Sequence, residues 1–240
     1  MSITTRYAAV QDGDTRINYP ISSTLSTACK WFFPCNETSG TTITDAGSLG
    51  LTTDPSTLSF SGTPNTVTID HNAAAVTSLP AIGAAATIAV AVYKVTGTPD
   101  NGFIGIGQIG VSDYLKVNET NSFTISQGGT PSANTTAFAV VAQDEVILIA
   151  CILDGAGSFK HFRIDGSDTA LESALVTNAA GTATMANSNF LTVEPCDMYG
   201  FGLWSFAGGI PATYQADLAE LKANWIAGTK VGPSAWETEA

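Results

Sequence analysis

Gly105-Ile106-Gly107-Gln108-Ile109-Gly110 is a literal Gly-x-Gly-x-x-Gly. That spacing cradles a pyrophosphate only where a helix starts at its end, because the helix N-terminus supplies free amides and the positive end of the dipole. The residues that follow, Val111-Ser112-Asp113-Tyr114-Leu115-Lys116-Val117, carry turn and strand chemistry instead. The glycines therefore read as a bent or closely packed strand. Glycoside hydrolysis needs two carboxyl groups flanking the scissile bond. The i, i+2 acidic pairs of this chain are Asp12/Asp14 and Glu237/Glu239, which belong to no expected core strand. Carboxyls drawn from separate strands remain an open alternative. His71 and His161 stand beside no Gly-x-Ser-x-Gly nucleophile, and His161 is expected on a strand face at or near solvent. Cys29, Cys35, Cys196 and His161 lack the Cys-x-x-Cys or His-x-x-x-His spacing of a zinc site.

The elements that would position any such groups are mostly strands. Thr66 to Asp70 alternates polar and apolar residues, the period of a half-buried strand. Thr87 to Val95 and Glu145 to Leu153 are apolar on both faces, which suits inner strands. Phe103 to Gly107, Phe123 to Ser126 and Ala137 to Ala142 are shorter strand candidates. Phe159 to Ile164 ends in Asp165-Gly166, a tight-hairpin signal. Tyr214, Leu218, Leu221 and Trp225 repeat at helical spacing after Pro211, and Gly228 offers a stop. Asp12-Gly13-Asp14 and Tyr19-Pro20 break up the start of the chain. The organisation expected is an N-terminal arm over 1–24, one domain over 25–230 and a tail over 231–240. The arm either packs on a partner or is a disordered terminus.

Trp31-Phe32-Phe33-Pro34-Cys35-Asn36-Glu37-Thr38-Ser39-Gly40-Thr41, followed by Asp45, resembles the opening turn of concanavalin A-like, laminin-G-like jelly-roll modules. The order of later fragments is similar too: an inner strand with Tyr93 near its aromatic position, Asp154-Gly155, the Asp165-Gly166 hairpin, an aromatic strand over Met198 to Phe206, then a short helix. The resemblance implies an all-β, concanavalin A-like jelly-roll β-sandwich. Many such modules bind calcium through loop oxygens. Asp45, Asp100, Asn101, Asp165 and Asp168 are the candidate ligands here, against a preferred reading in which these side chains stabilise turns. No other cofactor is expected. Lectins of this kind stack sugars on aromatic rings. Trp31, Trp204 and Trp225 match core positions, so Tyr93, Phe103 and Tyr114 are the candidates for a ligand surface. The fold's β-glucanases carry Glu-x-Asp-x-x-Glu or Glu-x-Asp-x-Glu along one strand, and this chain has no such array.

Composition narrows the function classes. The chain has 240 residues, enough for one sizeable core. Only 12% are charged, about half the usual ~25%. Net charge is −12, from nine Lys plus Arg against 21 Asp plus Glu, with no basic cluster. Nucleic acid and anionic membrane surfaces are therefore not expected partners. The start, Met-Ser-Ile-Thr-Thr-Arg-Tyr, has no apolar run of the secretory kind, so free thiols are favoured at Cys29, Cys35, Cys151 and Cys196, with a Cys29–Cys35 bridge as the alternative. A recognition-type sandwich with unpaired cysteines looks like the virion proteins of tailed phages, made in the host cytoplasm and carried on the particle. The expected function is then that of a non-enzymatic structural or decoration protein. Its partners would be other capsid or tail proteins, further copies of itself and a cell-surface glycan. The alternatives are a glycan-binding adhesin module and a glycoside hydrolase.

Overall fold

The structure is a computed structural model. It describes residues 5–6, 18–20, 25, 28–35, 43, 58–59, 66–69, 73–79, 85–95, 104–107, 114–117, 123–127, 130–139, 142, 144–178, 188–192, 196–227, 230–232 and 237–238. In chain order the strands begin with β1 (Thr5–Arg6), β2 (Asn18–Pro20), β3 (Cys29–Pro34), β4 (Leu58–Ser59), β5 (Val67–Ile69) and β6 (Ala73–Leu79). There follow β7 (Ala86–Val95), β8 (Ile104–Gly107), β9 (Tyr114–Val117), β10 (Phe123–Gln127), β11 (Thr130–Asn134), β12 (Val146–Leu153) and β13 (Ser158–Ile164). The last are β14 (Ala170–Glu172), β15 (Val176–Thr177), β16 (Ser188–Thr192), β17 (Cys196–Phe206), β18 (Lys230–Gly232) and β19 (Glu237–Thr238), with helix α1 (Tyr214–Ile226) between β17 and β18.

Two antiparallel sheets make the all-β sandwich. The larger runs β14-β13-β12-β7-β17-β5-β4, with β15 also on β13 and β3 also on β17. The smaller runs β11-β10-β9-β8-β16-β6. β1 pairs with β19, and β2 lies parallel to β18. The Gly-x-Gly segment is the strand β8, hydrogen-bonded to β9 and β16, as the sequence reading expects for its first half. Gln108 to Gly110 lie outside the described residues.

The large sheet is buried on both faces. One face carries Phe32, Ile88, Val90, Val92, Leu148, Ala150, Ile152, Phe162, Ile164 and Trp204, covered by Tyr214, Leu218, Leu221 and Trp225 of α1. The helical stripe read from the sequence is thus the packing face, and each large side chain contributes roughly 1.5–3 kcal/mol by leaving water. The opposite face carries Trp31, Phe33, Tyr93, Ile147, Ile149, Cys151, Phe159, His161, Arg163 and Phe201, all buried. This explains why β12, Val-Ile-Leu-Ile-Ala-Cys-Ile-Leu, has no polar side. Trp31, Trp204 and Trp225 are core residues, as expected.

Four details depart from the sequence reading. Residues 137–139 form no strand, and Phe138 and Ala139 instead contact His161 and Arg163. β6, β11, β14 and β15 gave no sequence signal, since they are very short or built mostly of Ala, Ser and Thr without a clear alternation. The Asp165-Gly166 link is not a two-residue turn, because Ile164 pairs with Ala170 across a five-residue loop. Its left-handed residue is Asp168 (φ 61°) and not Gly166. All four cysteines are free, Cys29 partly exposed and the other three buried, so no Cys29–Cys35 bridge forms.

Candidate functional site

The loops at one end of the large sheet bring several polar groups together. Glu145 closes the turn before β12, its N–H donating to the Ala142 carbonyl at 3.2 Å. Its carboxylate then accepts from the Ala142 N–H at 3.0 Å and the Gly166 N–H at 2.7 Å, so it ties that turn to the 165–169 loop. A Cβ at position 166 would sit 2.7 Å from Glu145 Cγ, which is why glycine stands there. Asp165 Oδ1 accepts from the N–H of Thr169 at 2.8 Å and of Ser167 at 3.0 Å, and from Ser167 Oγ at 2.8 Å. The Thr169 amide first, then Ser167, hold the Asp165 carboxyl below its usual range.

Lys222 reaches into this loop from α1. Only 2% of the residue is exposed, and its ammonium donates to Asp168 Oδ1 at 2.7 Å and to the Asp165 carbonyl. Two of the five calcium candidates, Asp165 and Asp168, are therefore neighbours, and the protein's own cation sits between them. A Lys⁺ at that distance opposes a divalent ion at the same oxygens. Among the described residues no three His, Cys, Asp or Glu converge to hold a metal. Asp45, Asp100 and Asn101 lie outside the described residues. Between this loop, the 142–145 turn and the end of α1 runs an open groove of about 650 Å³, lined by Asp144, Glu145, Ser167, Asp168, Lys222 and Ile226. Asp144 takes a left-handed backbone (φ 64°) and Ile226 is 38% exposed.

A second polar cluster lies on the helix side of the sheet edge. Lys160 and Glu172 form an ion pair, the Tyr214 hydroxyl donates to Glu172, and Lys160 Nζ donates to Tyr214 Oη at 3.0 Å. Burial disfavours both charges, but their mutual hydrogen bonding outweighs it, so the Glu172 carboxyl is lowered and the Lys160 amine raised. Gln215 Nε2 completes the group, 3.1 Å from Tyr214 Oη.

A third cluster lies on the opposite, inward face. His161 is 1% exposed and stacks on Phe138 with ring centroids 4.3 Å apart, which corrects the expectation of a solvent-facing histidine. Arg163, two residues on, is 5% exposed; its Nη1 donates to the Ala139 carbonyl at 2.7 Å and its guanidinium lies 5.3 Å from the Phe138 ring centroid. Both are buried because β13 pairs with β12, whose two faces are enclosed. Tyr93 joins this interior and is fully buried, so it is no surface ligand contact. Burial drives its hydroxyl well above the usual range, Cys196 adds to this, and the nearby Arg163 charge opposes it. Tyr114 lies on β9, and Phe103 lies outside the described residues.

Sequence reasoning missed Glu145, Lys222 and Arg163. Lys222 carried a signal: it stands four residues after Leu218 and three before Trp225, on the flank of the apolar stripe. Arg163 shares a strand face with His161, and only the pairing of β13 shows that this face is interior.

No protein-family model and no curated protein matches the chain. Solved structures do. The botulinum neurotoxin serotype D binding domain superposes with a TM-score of 0.57 at 7% identity, over 84% of this chain and 53% of that one. The botulinum neurotoxin type G receptor binding domain gives 0.54 at 9%, over 81% and 51%. Trypanosoma rangeli sialidase in complex with sialic acid gives 0.53 at 10%, over 83% and 34%. The chain spans about half or less of the length of these structures. At such identities the likeness defines the fold alone: an all-β sandwich.

Proposed function

We propose that the chain is a non-catalytic recognition module that meets a carbohydrate through its loop end. The observation that carries this reading is the condition of the carboxylates. A glycosidase's general acid needs a raised carboxyl pKa, held by a low-polarity pocket or a like charge. Here the fold moves Asp165 and Glu172 downward. Asp168 gives one carboxylate oxygen to Lys222 and keeps an exposed side chain, and Glu145 binds two amides. What remains is an open groove with outward acceptors, Asp144, Ser167 and Asp168, beside the apolar Ile226. That arrangement suits sugar hydroxyls above an aliphatic contact. Of the fold neighbours, two are by name toxin binding domains and one is a sialidase, so the reading rests on the carboxylates and not on the neighbours. A glycan array with the purified chain tests this. Binding weakened by Asp144→Asn and Ile226→Ala supports it, and Asn keeps the left-handed backbone accessible. Polysaccharide turnover, or array binding unaffected by both changes, refutes it.

The finer reading is a structural or decoration protein of a phage particle, assembling with capsid or tail proteins and with its own copies. The sparse charge and the free thiols support it. Residues 1–24 would act as the clip to a neighbour. Deleting them should abolish incorporation into particles, and normal incorporation would end that reading.

A further inference from the structure

Among the described residues, Arg163 is an enclosed cation with no anion beside it. The chain has 21 acidic residues and nine basic ones, yet no described carboxylate pairs with this guanidinium. Its Nη1 is satisfied by the Ala139 carbonyl, while Nε is buried with no partner among the described residues. A carbonyl leaves the positive charge uncompensated. An unpaired charge in such surroundings is expensive to keep, and replacement by an apolar residue of similar size would relieve the cost. What an arginine offers that no apolar residue does is the Nε side of its fork, where a carboxylate is held by two parallel hydrogen bonds.

Among the described residues, the segment 135–139 lies over this group. Residues 135–139 form no regular structure, and Thr136, Ala137 and Ala139 are exposed. Phe138, only partly buried, lies against both the His161 ring and the guanidinium. Arg163 as a residue is 5% exposed and its Nε is buried, so a ligand reaches that side of the fork only if the cover moves. His161 and Tyr93 stand beside it on the same sheet face, so the wall of the site is aromatic and polar rather than aliphatic.

We propose that Arg163 is a carboxylate-binding residue, that the strap 135–139 with Phe138 as its plug covers the site, and that the ligand is a carboxylate-bearing sugar residue. The choice of a sugar rests on the recognition reading above, while the choice of a carboxylate rests on Arg163 alone. The carboxylate meets the Nε side of the fork, Nη1 keeps its bond to Ala139, and the Phe138 ring swings aside to admit it.

The test titrates the full-length chain with galacturonate and with galactose, its neutral counterpart, following the Arg163 Nε–H resonance by NMR. Galacturonate should move that resonance and bind at least tenfold more tightly than galactose. Phe138→Ala should strengthen galacturonate binding several-fold by removing the plug. Arg163→Lys keeps the charge without the fork and should weaken it at least tenfold. An unmoved Nε–H signal, or equal affinity for the two sugars in both the natural chain and Phe138→Ala, overturns the proposal. These readouts stand even if the Arg163 variant does not fold. Glycan-array binding that persists while the Nε–H signal stays still would leave the recognition reading intact and remove only this site. Movement of the Nε–H signal by acetate as strongly as by galacturonate would keep the carboxylate and remove the sugar.

Discussion

Gly200→Ala tests whether α1 is clamped on the large sheet as tightly as its packing implies. A Cβ at position 200 would lie 2.7 Å from Trp225 Cε2, 2.8 Å from Cδ2 and 2.9 Å from Cζ2. Carbon atoms rest at roughly 3.5–4.0 Å, so the indole would have to retreat by about 1 Å. It has nowhere to go. Trp225 is 2% exposed and stacked on Phe32, centroids 5.1 Å apart and planes 12° from parallel. Phe32 is backed in turn by Trp204 at 5.9 Å. Overpacking of this kind costs about 1–3 kcal/mol. The smaller entropy of the unfolded alanine chain returns roughly 0.4–1 kcal/mol. The net loss should be about 1–2 kcal/mol, which lowers Tm by roughly 2–8 °C in a domain of this size. Urea unfolding followed by tryptophan fluorescence measures it. Gly208→Ala is the control, since a Cβ there meets nothing within 4 Å, and it should be near neutral. In a Trp225→Leu background the Gly200→Ala penalty should fall close to zero. Equal effects of the two glycine substitutions, or a penalty that survives loss of the indole, would refute the clamp.

Other consequences follow from the polar groups. Lys222→Met keeps the aliphatic stem but removes the charge from the 165–169 loop. It should cost about 1–3 kcal/mol and speed hydrogen exchange there, whereas Asp168→Asn, with its side chain 83% exposed, should cost less. The Lys160–Glu172 pair makes stability pH-dependent at both ends. The lowered Glu172 carboxyl contributes stability above its unfolded pKa near ~4.3, and this is lost as pH falls through the lower folded value. The raised Lys160 amine contributes stability below its unfolded pKa near ~10.4, and this is lost as pH rises through the higher folded value. Glu172→Gln should flatten both limbs of a Tm-against-pH curve, and an unchanged curve would count against the pair. A thiol reagent should modify Cys29 alone in the native chain and four cysteines after unfolding, because burial raises the Cys151 and Cys196 thiols far above neutral pH.

The sequence by itself determined the class of fold and much of its interior. Val146 to Leu153 has no polar face, and an element of that length without one must be enclosed on both sides, as β12 is. The period of Tyr214, Leu218, Leu221 and Trp225 specified both the helix and the face it buries. Local chemistry was enough for these, because period and apolar content are properties of consecutive residues. Which side chains meet was decided only in three dimensions. Phe159, His161 and Arg163 read as ordinary alternation until β13 pairs with β12 and turns their face inward. For Asp165 and Asp168 the sequence left a calcium reading open beside the preferred turn-stabilising one, and only the fold shows that α1 delivers Lys222 from 54 residues along the chain to Asp168. Contacts of that kind join distant segments, and no short-range pattern encodes them.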